Sequence, residues 1–218
     1  PVVDDHNRLL GRITIDDVVD LMEEEAEKDY QLASGLSDEV ESDDSLWTMT
    51  RARLPWLLIG LFGGLAGAYV IGWFDIERFP SMALFIPLIA AMGGNVGVQS
   101  AAIVVQGLAS GKSPTDARLA PRLLKELSVA LLNGAICAGV IMGASLLLGY
   151  GWNLSLTVSM ALIAVIIFAA LFGTFVPLTL DQLKIDPALA TGPFITTAND
   201  IIGLIIYFGI GVLMSVGT

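Results

Sequence analysis

Five long apolar stretches, separated by short polar ones, leave this chain few folds to choose from. They run over residues 54–74, 80–110, 122–149, 153–181 and 187–216. A helix needs roughly 20 apolar residues to cross a bilayer, and each stretch meets that length. Several exceed it, so tilts, breaks or protruding ends are expected, with Pro87 and the "GGNVG" run breaking the second stretch. Pro177 and Pro193 are expected to kink the fourth and fifth. Backbone polar groups in hydrocarbon must be satisfied internally, which makes each stretch helical. The expected fold is an all-α integral membrane domain, residues 54–218, with five transmembrane helices.

Charge is divided sharply along the chain. Residues 1–50 hold 15 of the 22 acidic residues against Arg8, Arg12 and Lys28. An acidic, water-exposed head thus precedes a nearly neutral body. Such a head suits solvation or cations and repels nucleic acid and anionic lipid. Cys137 is the sole cysteine and lies in an apolar stretch, so no intrachain disulfide forms. With His6 the sole histidine, a His/Cys metal cluster is excluded.

The head reads as a fragment of a larger domain, and the chain, beginning at Pro1, as the C-terminal part of a longer polypeptide. "PVVDDHNRLLGRITIDDVVDLM" predicts a strand at Val2–Val3, a turn, a strand over Leu9–Ile15 and a helix capped by Thr14 or Asp16. Two strands and one helix bury no core alone. Ser34, Gly35 and Ser37 predict a break, and 38–53 a second, surface-bound helical stretch ending in Arg51 and Arg53.

Lysine and arginine orient the spans. Arg51 and Arg53 precede the first; Lys112, Arg118, Arg122 and Lys125 separate the second and third; Lys184 separates the fourth and fifth. The other loops hold only Arg78, beside Asp75 and Glu77. The acidic head is therefore expected in the cytoplasm and Thr218 outside. In the first span, Gly60 and Gly64, and Gly63 and Gly67, have the four-residue spacing that lets helices approach closely.

Asp200 is the only acid deep in a span. On a helix, Gly192, Thr196, Asp200, Gly203 and Tyr207 share a small or polar face. Asp200 therefore points at protein or water, and intramembrane carboxylates mark ion or proton sites. In the second span, Asn95, Gln99 and Gln106 share a face, and Gly93, Gly94 and Gly97 are expected to free backbone carbonyls there. Amides, carbonyls and a carboxylate suit a hard cation rather than zinc or copper. One carboxylate is too little for a calcium cage, whereas Mg²⁺ keeps several waters and needs only one or two. A two-fold dimer would bring two copies of Asp200 to its axis. Na⁺ and H⁺ stay open as competitors, through a monovalent-cation- or proton-coupled secondary transporter with Asp200 as coupling site. An intramembrane aspartyl protease needs two such aspartates, and no Ser/His pair is available in the spans, so an enzyme is not expected.

"PLIAAMGGNVGVQSAAIVVQGLASG", "RLPWLLIGL" and "DPALATGPFITTANDIIGLIIYF" resemble the membrane domain of the MgtE family of magnesium channels, related to eukaryotic solute carrier family 41. "PVVDDHNRLLGRITIDDVVDLMEEE" resembles the closing half of a CBS domain, here residues 1–29, which in that family precedes a connecting plug helix, here 30–53. The resemblance implies a plasma-membrane homodimer with five spanning helices per subunit and a pore at the two-fold axis, lined by the second and fifth. It implies Asp200 as the ion-selecting carboxylate, backbone oxygen from Thr196, Gly192 near the cytoplasmic mouth, and the Asn95 face along the pore. It also implies that cytosolic Mg²⁺ closes the pore through acids matching Asp17, Asp20 and Glu25, with Asp29 facing Asp186. Repulsion among these acids would splay the head at low Mg²⁺, and bound cations would relieve it.

Overall fold

The computed structural model describes residues 1–74, 80–110 and 119–216. Arg78, Asp75, Glu77, Lys112, Arg118 and Thr218, used above for orientation, lie outside them.

Strands β1 (Val2–Val3) and β2 (Leu9–Gly11) form an antiparallel hairpin. The second strand is shorter than expected, because Thr14 turns the chain into helix α1 (Ile15–Ala33). Thr14 is the cap, in a reciprocal pair: its hydroxyl accepts from the Asp17 N–H and the Asp17 carboxylate accepts from the Thr14 N–H. The helix ends as Ser34–Gly35 predicts. Gly35, at φ +83°, follows the cap; its N–H reaches the Leu32 carbonyl and that of Leu36 the Gln31 carbonyl.

Residues 38–45 are not helical, which corrects the expected second helix over 38–53. The Gln31 side chain instead exchanges two hydrogen bonds with the Val40 backbone, each 3.0 Å. Ser37 is tied to the Ala52 carbonyl by both its N–H and its hydroxyl. Helix α2 then runs without interruption from Leu46 to Trp73, with Ser45 as its cap. Arg51 and Arg53 belong to its first turns.

A short helix α3 (Pro80–Ala83) leads into α4 (Ile86–Ala109), followed by α5 (Leu119–Leu147), α6 (Trp152–Gln182), a 3-10 turn (Pro187–Ala190) and α7 (Pro193–Val216). Helices α2, α4, α5, α6 and α7 are long and apolar enough to span, giving the five expected crossings. Two breaks fall elsewhere than expected. Helix α4 is continuous through "GGNVG" and Pro87 lies in its first turn, so no carbonyls are freed there. Pro193 likewise starts α7 rather than kinking it, since its missing N–H costs nothing in a first turn.

Helix α6 is the hub, packed against α4, α5 and α7, while α2 lies against α7. Ala161, Val165, Ile166, Ala169 and Ala170 of α6 are at most 1% exposed. Apolar burial adds little in lipid, so close fit must hold these helices together. A methyl at Gly173 of α6 would collide with the Gly97 carbonyl of α4, so the two backbones touch. Gly63 and Gly67 face Thr197 and Leu204 of α7, whereas among the described residues nothing lies within 4 Å of a methyl placed at Gly60 or Gly64.

The sides of the bundle are set by contacts at its two ends. At one end Gly35 and Ala33 meet Pro193 and Gly192. At the other the Tyr207 hydroxyl donates to the Met82 carbonyl at 2.8 Å, and Phe85 packs on Tyr150. With the helices alternating in direction, Arg51, Arg53, Arg122, Lys125 and Lys184 all fall on the side of the acidic head.

Candidate functional site

A polar groove of about 350 Å³ runs between α4 and α7, lined by Asn95, Gln99, Gly94, Val98, Thr196 and Asp200, among others. It brings together three of the expected pore residues, Asp200, Thr196 and Asn95. The close approach of Thr196 depends on Gly94. A methyl there would meet Thr196 Cγ2 at 3.2 Å and an Asp200 carboxylate oxygen at 3.9 Å. So the glycine run does not break the helix; Gly94 lets the Thr196 side chain lie close against it, with Asp200 in ordinary contact alongside.

Asp200 is half-buried and, among the described residues, has no hydrogen-bond or ion-pair partner. Its oxygens are free to bind something else. The Thr196 hydroxyl donates to the Gly192 carbonyl at 3.0 Å, which leaves its oxygen as an acceptor. Asn95 and Gln99 are exposed on the subunit surface at membrane depth, and Gln106, further along the same helix, is exposed beyond the groove. The donor set is oxygen-rich, with amide, hydroxyl and carboxylate but no thiolate or imidazole, which suits a hard, partly hydrated cation.

A larger cavity of about 1000 Å³ adjoins on the head side, sharing Thr196 and Asp200 and adding Gly192, Pro193, Arg53 and Ser34. Gly192 lines it with φ +63°, at the junction between the 3-10 turn and α7. Of the expected face on α7, Gly203 and Tyr207 are buried against the bundle.

The acidic head divides in two. Asp17 is engaged in the cap of α1, which holds its carboxyl below the usual range, and Asp20 is exposed on the same part of that helix. Toward the helix end, Asp29 is half-buried, and burial, then the charges of Asp186 and Glu25, raise its carboxyl above the ordinary value; Lys28 opposes this. Asp186 also caps the 3-10 turn, accepting from the Ala188 N–H at 2.8 Å. Asp29 therefore feels both Glu25 and Asp186, while Asp17 and Asp20 lie nearer the start of α1. Among the described residues, no three acidic, histidine or cysteine side chains converge to hold a metal ion.

Two polar contacts escape a reading of the sequence. Asn199, only 1% exposed, donates from its side chain to the Gly93 carbonyl of α4 at 3.2 Å. The Ser100 hydroxyl donates to Glu126 of α5 at 2.6 Å. The signal for the first was present in the spacing of Gly93 and Gly97, whose missing side chains leave room for a knob from a neighbour. Nothing in the sequence singles out the second.

The divalent cation transporter family MgtE matches over residues 86–210, which contain the whole groove. The chain is 36% identical over 213 residues to a magnesium transporter MgtE of Bacillus subtilis, covering 96% of this chain and 47% of that protein. It is 36% identical over 212 residues to one from Enterococcus faecalis, covering 96% and 46%, and 33% identical over 219 residues to one from Thermus thermophilus, covering 98% and 48%. It thus spans about half the length of these curated relatives. With five apolar helices and an oxygen-lined groove inside the matched region, the chain belongs to the MgtE family of divalent cation transporters.

Proposed function

We propose that this chain is the membrane half of a Mg²⁺ channel or transporter. The ion would pass largely hydrated along the α4–α7 groove, with Asp200 as its selecting group. One observation carries this reading. Asn95, Gln99 and half-buried Asp200 line one open groove between two apolar spanning helices, α4 and α7. Such groups are costly against lipid tails. A second copy across a two-fold axis would cover them, turn two grooves into one polar conduit, and set two Asp200 carboxylates against one divalent charge. Mg²⁺ gives up its waters reluctantly, so two carboxylates acting through its hydration shell would suffice. The names of the relatives support the choice of Mg²⁺.

The same reading makes residues 1–29 the closing part of a cytoplasmic CBS domain, 30–53 the connection and 54–218 the pore domain, with Thr218 outside the plasma membrane. The basic residues gathered on the head side support that orientation. Cytosolic Mg²⁺ would close the pore by bridging the acids of the head to the membrane domain, with Asp29, which feels the charges of Asp186 and Glu25, at that junction. Asp17 and Asp20 would need ligands from the rest of the CBS domain.

Liposomes carrying the full-length protein and an internal Mg²⁺-sensitive dye test the central claim. Uptake should follow the Mg²⁺ gradient alone, without a proton or sodium gradient. Asp200→Asn should reduce it at least about tenfold, the effect of losing a charged site interaction of 1.4 kcal/mol or more. Undiminished Mg²⁺ uptake by that variant would exclude Asp200 from the path.

A further inference from the structure

Asn199 is a polar side chain sealed inside the bundle, one residue before Asp200. Its amide nitrogen donates to the Gly93 carbonyl, and its amide oxygen is buried with no partner among the described residues. It occupies a cradle that only glycine permits. A methyl at Gly97 would overlap the Asn199 amide nitrogen, and one at Gly93 would meet Val165 at 3.2 Å and Asn199 Cβ at 3.9 Å. Helix α4 is also in backbone contact with α6, where Gly173 abuts the Gly97 carbonyl. Consecutive helical residues point about 100° apart. Seating Asn199 in the cradle therefore turns its neighbour Asp200 out of the packed interior and into the groove.

We propose that Asn199 is a positioning residue for the cation path: its bond to the Gly93 carbonyl sets the rotation of α7 that holds Asp200 and Thr196 at the groove. An apolar side chain would fill the cradle without an orphaned oxygen, so packing alone does not account for an amide there. The inference rests on the functional reading above. It adds that selectivity depends on a residue that never touches the ion.

The test uses the full-length protein in liposomes and reads the permeability ratio of Mg²⁺ to Na⁺. Asn199→Ala deletes the amide. Asn199→Cys keeps nearly the same volume but replaces the amide with a thiol, only a weak donor. Both should lower the ratio about three- to tenfold, the range expected from one net hydrogen bond. An unchanged ratio in both overturns the inference, and so does a drop in Asn199→Ala alone, which would mean that only volume matters. Should neither variant fold, Gly97→Ala disturbs the seat with Asn199 intact and must lower the ratio too; an unchanged ratio there also overturns the inference. A wild-type protein that takes up no Mg²⁺ removes the functional reading and this inference together. A selective wild type with indifferent variants removes this inference alone.

Discussion

The Ser100 hydroxyl and the Glu126 carboxylate are joined across 2.6 Å, a bond between two helices that otherwise scarcely touch. Ser100 follows Gln99, yet it is buried on the side of α4 turned away from the groove. Helix α4 is thus held on three sides: by α7 through Asn199, by α6 through the Gly97–Gly173 contact and by α5 through Glu126.

Removing this strap should loosen α4 without touching the groove. Ser100→Ala and Glu126→Ala are each expected to cost about 1–2 kcal/mol, the span for interhelical bonds in membranes and bonds to charged groups. Glu126→Gln keeps a side-chain oxygen acceptor and should cost less. Thermal denaturation of the purified protein in detergent would rank the three. A Gln variant as unstable as the Ala variant would show that charge, not the acceptor, matters.

Neighbouring glycines of α2 should differ sharply. A methyl on Gly63 would overlap the Thr197 side chain of α7, while Gly64 has open space. Gly63→Ala should destabilise the subunit by about 1–3 kcal/mol, as overpacking does. Gly64→Ala should be neutral or slightly stabilising for the subunit, since alanine favours the helix. Melting temperatures of the two variants measured side by side would check this. Equal losses would mean that another copy of the chain lies over Gly64.

What could be read in the sequence was what depends on hydropathy and spacing. Five spans, the Thr14 cap, the break at Ser34–Gly35 and the shared face of Thr196 and Asp200 all follow from local pattern. The glycines of α4 misled in one respect. In water such a run would weaken a helix, but in lipid an open backbone has no solvent to turn to, so the helix persists and the missing side chains become seats for neighbours. Thr197 and Asn199 look like ordinary polar residues beside Asp200; only the approach of α2 and α4 makes them knobs. The Ser100–Glu126 bond spans 26 residues and depends on how three helices stack, which no local pattern encodes.

The junction of head and membrane domain should respond to pH through Asp29. Its carboxyl is raised above the ordinary 3.8 by burial and by Asp186 and Glu25. The docked arrangement therefore binds the proton more tightly than a splayed one. Stabilisation from protonated Asp29 is complete below about pH 3.8 and is lost as pH rises through the raised value. At neutral pH the ionised group opposes docking. Asp29→Asn should strengthen docking at pH 7 and flatten its response to mild acid. Protease sensitivity of the 34–45 segment, measured from pH 4 to 8, should fall on acidification in the parent and stay low in the variant.

Gly192 is where the two halves of the chain meet, and its backbone allows that meeting. It sits at φ +63°, a conformation costing other residues about 1 kcal/mol or more, and a side chain there would run into the Ala33 carbonyl at the end of α1. Gly35 completes the contact from the other side, buried at φ +83° with Pro193 against it. Because α7 begins at Pro193, a shift here is carried directly to Thr196, one turn on. Gly192→Ala should lift the end of α1 from α7 while leaving the interior packing of α4, α6 and α7 intact. Under the gating reading above, the variant would keep taking up Mg²⁺ at internal concentrations that halt the parent. Full-length protein in liposomes preloaded with graded Mg²⁺ measures this directly. The half-closing concentration should rise about three- to thirtyfold, which corresponds to 0.7–2 kcal/mol of lost contact. A variant that closes at the parent's concentration would show that α1 does not act on α7 through Gly192.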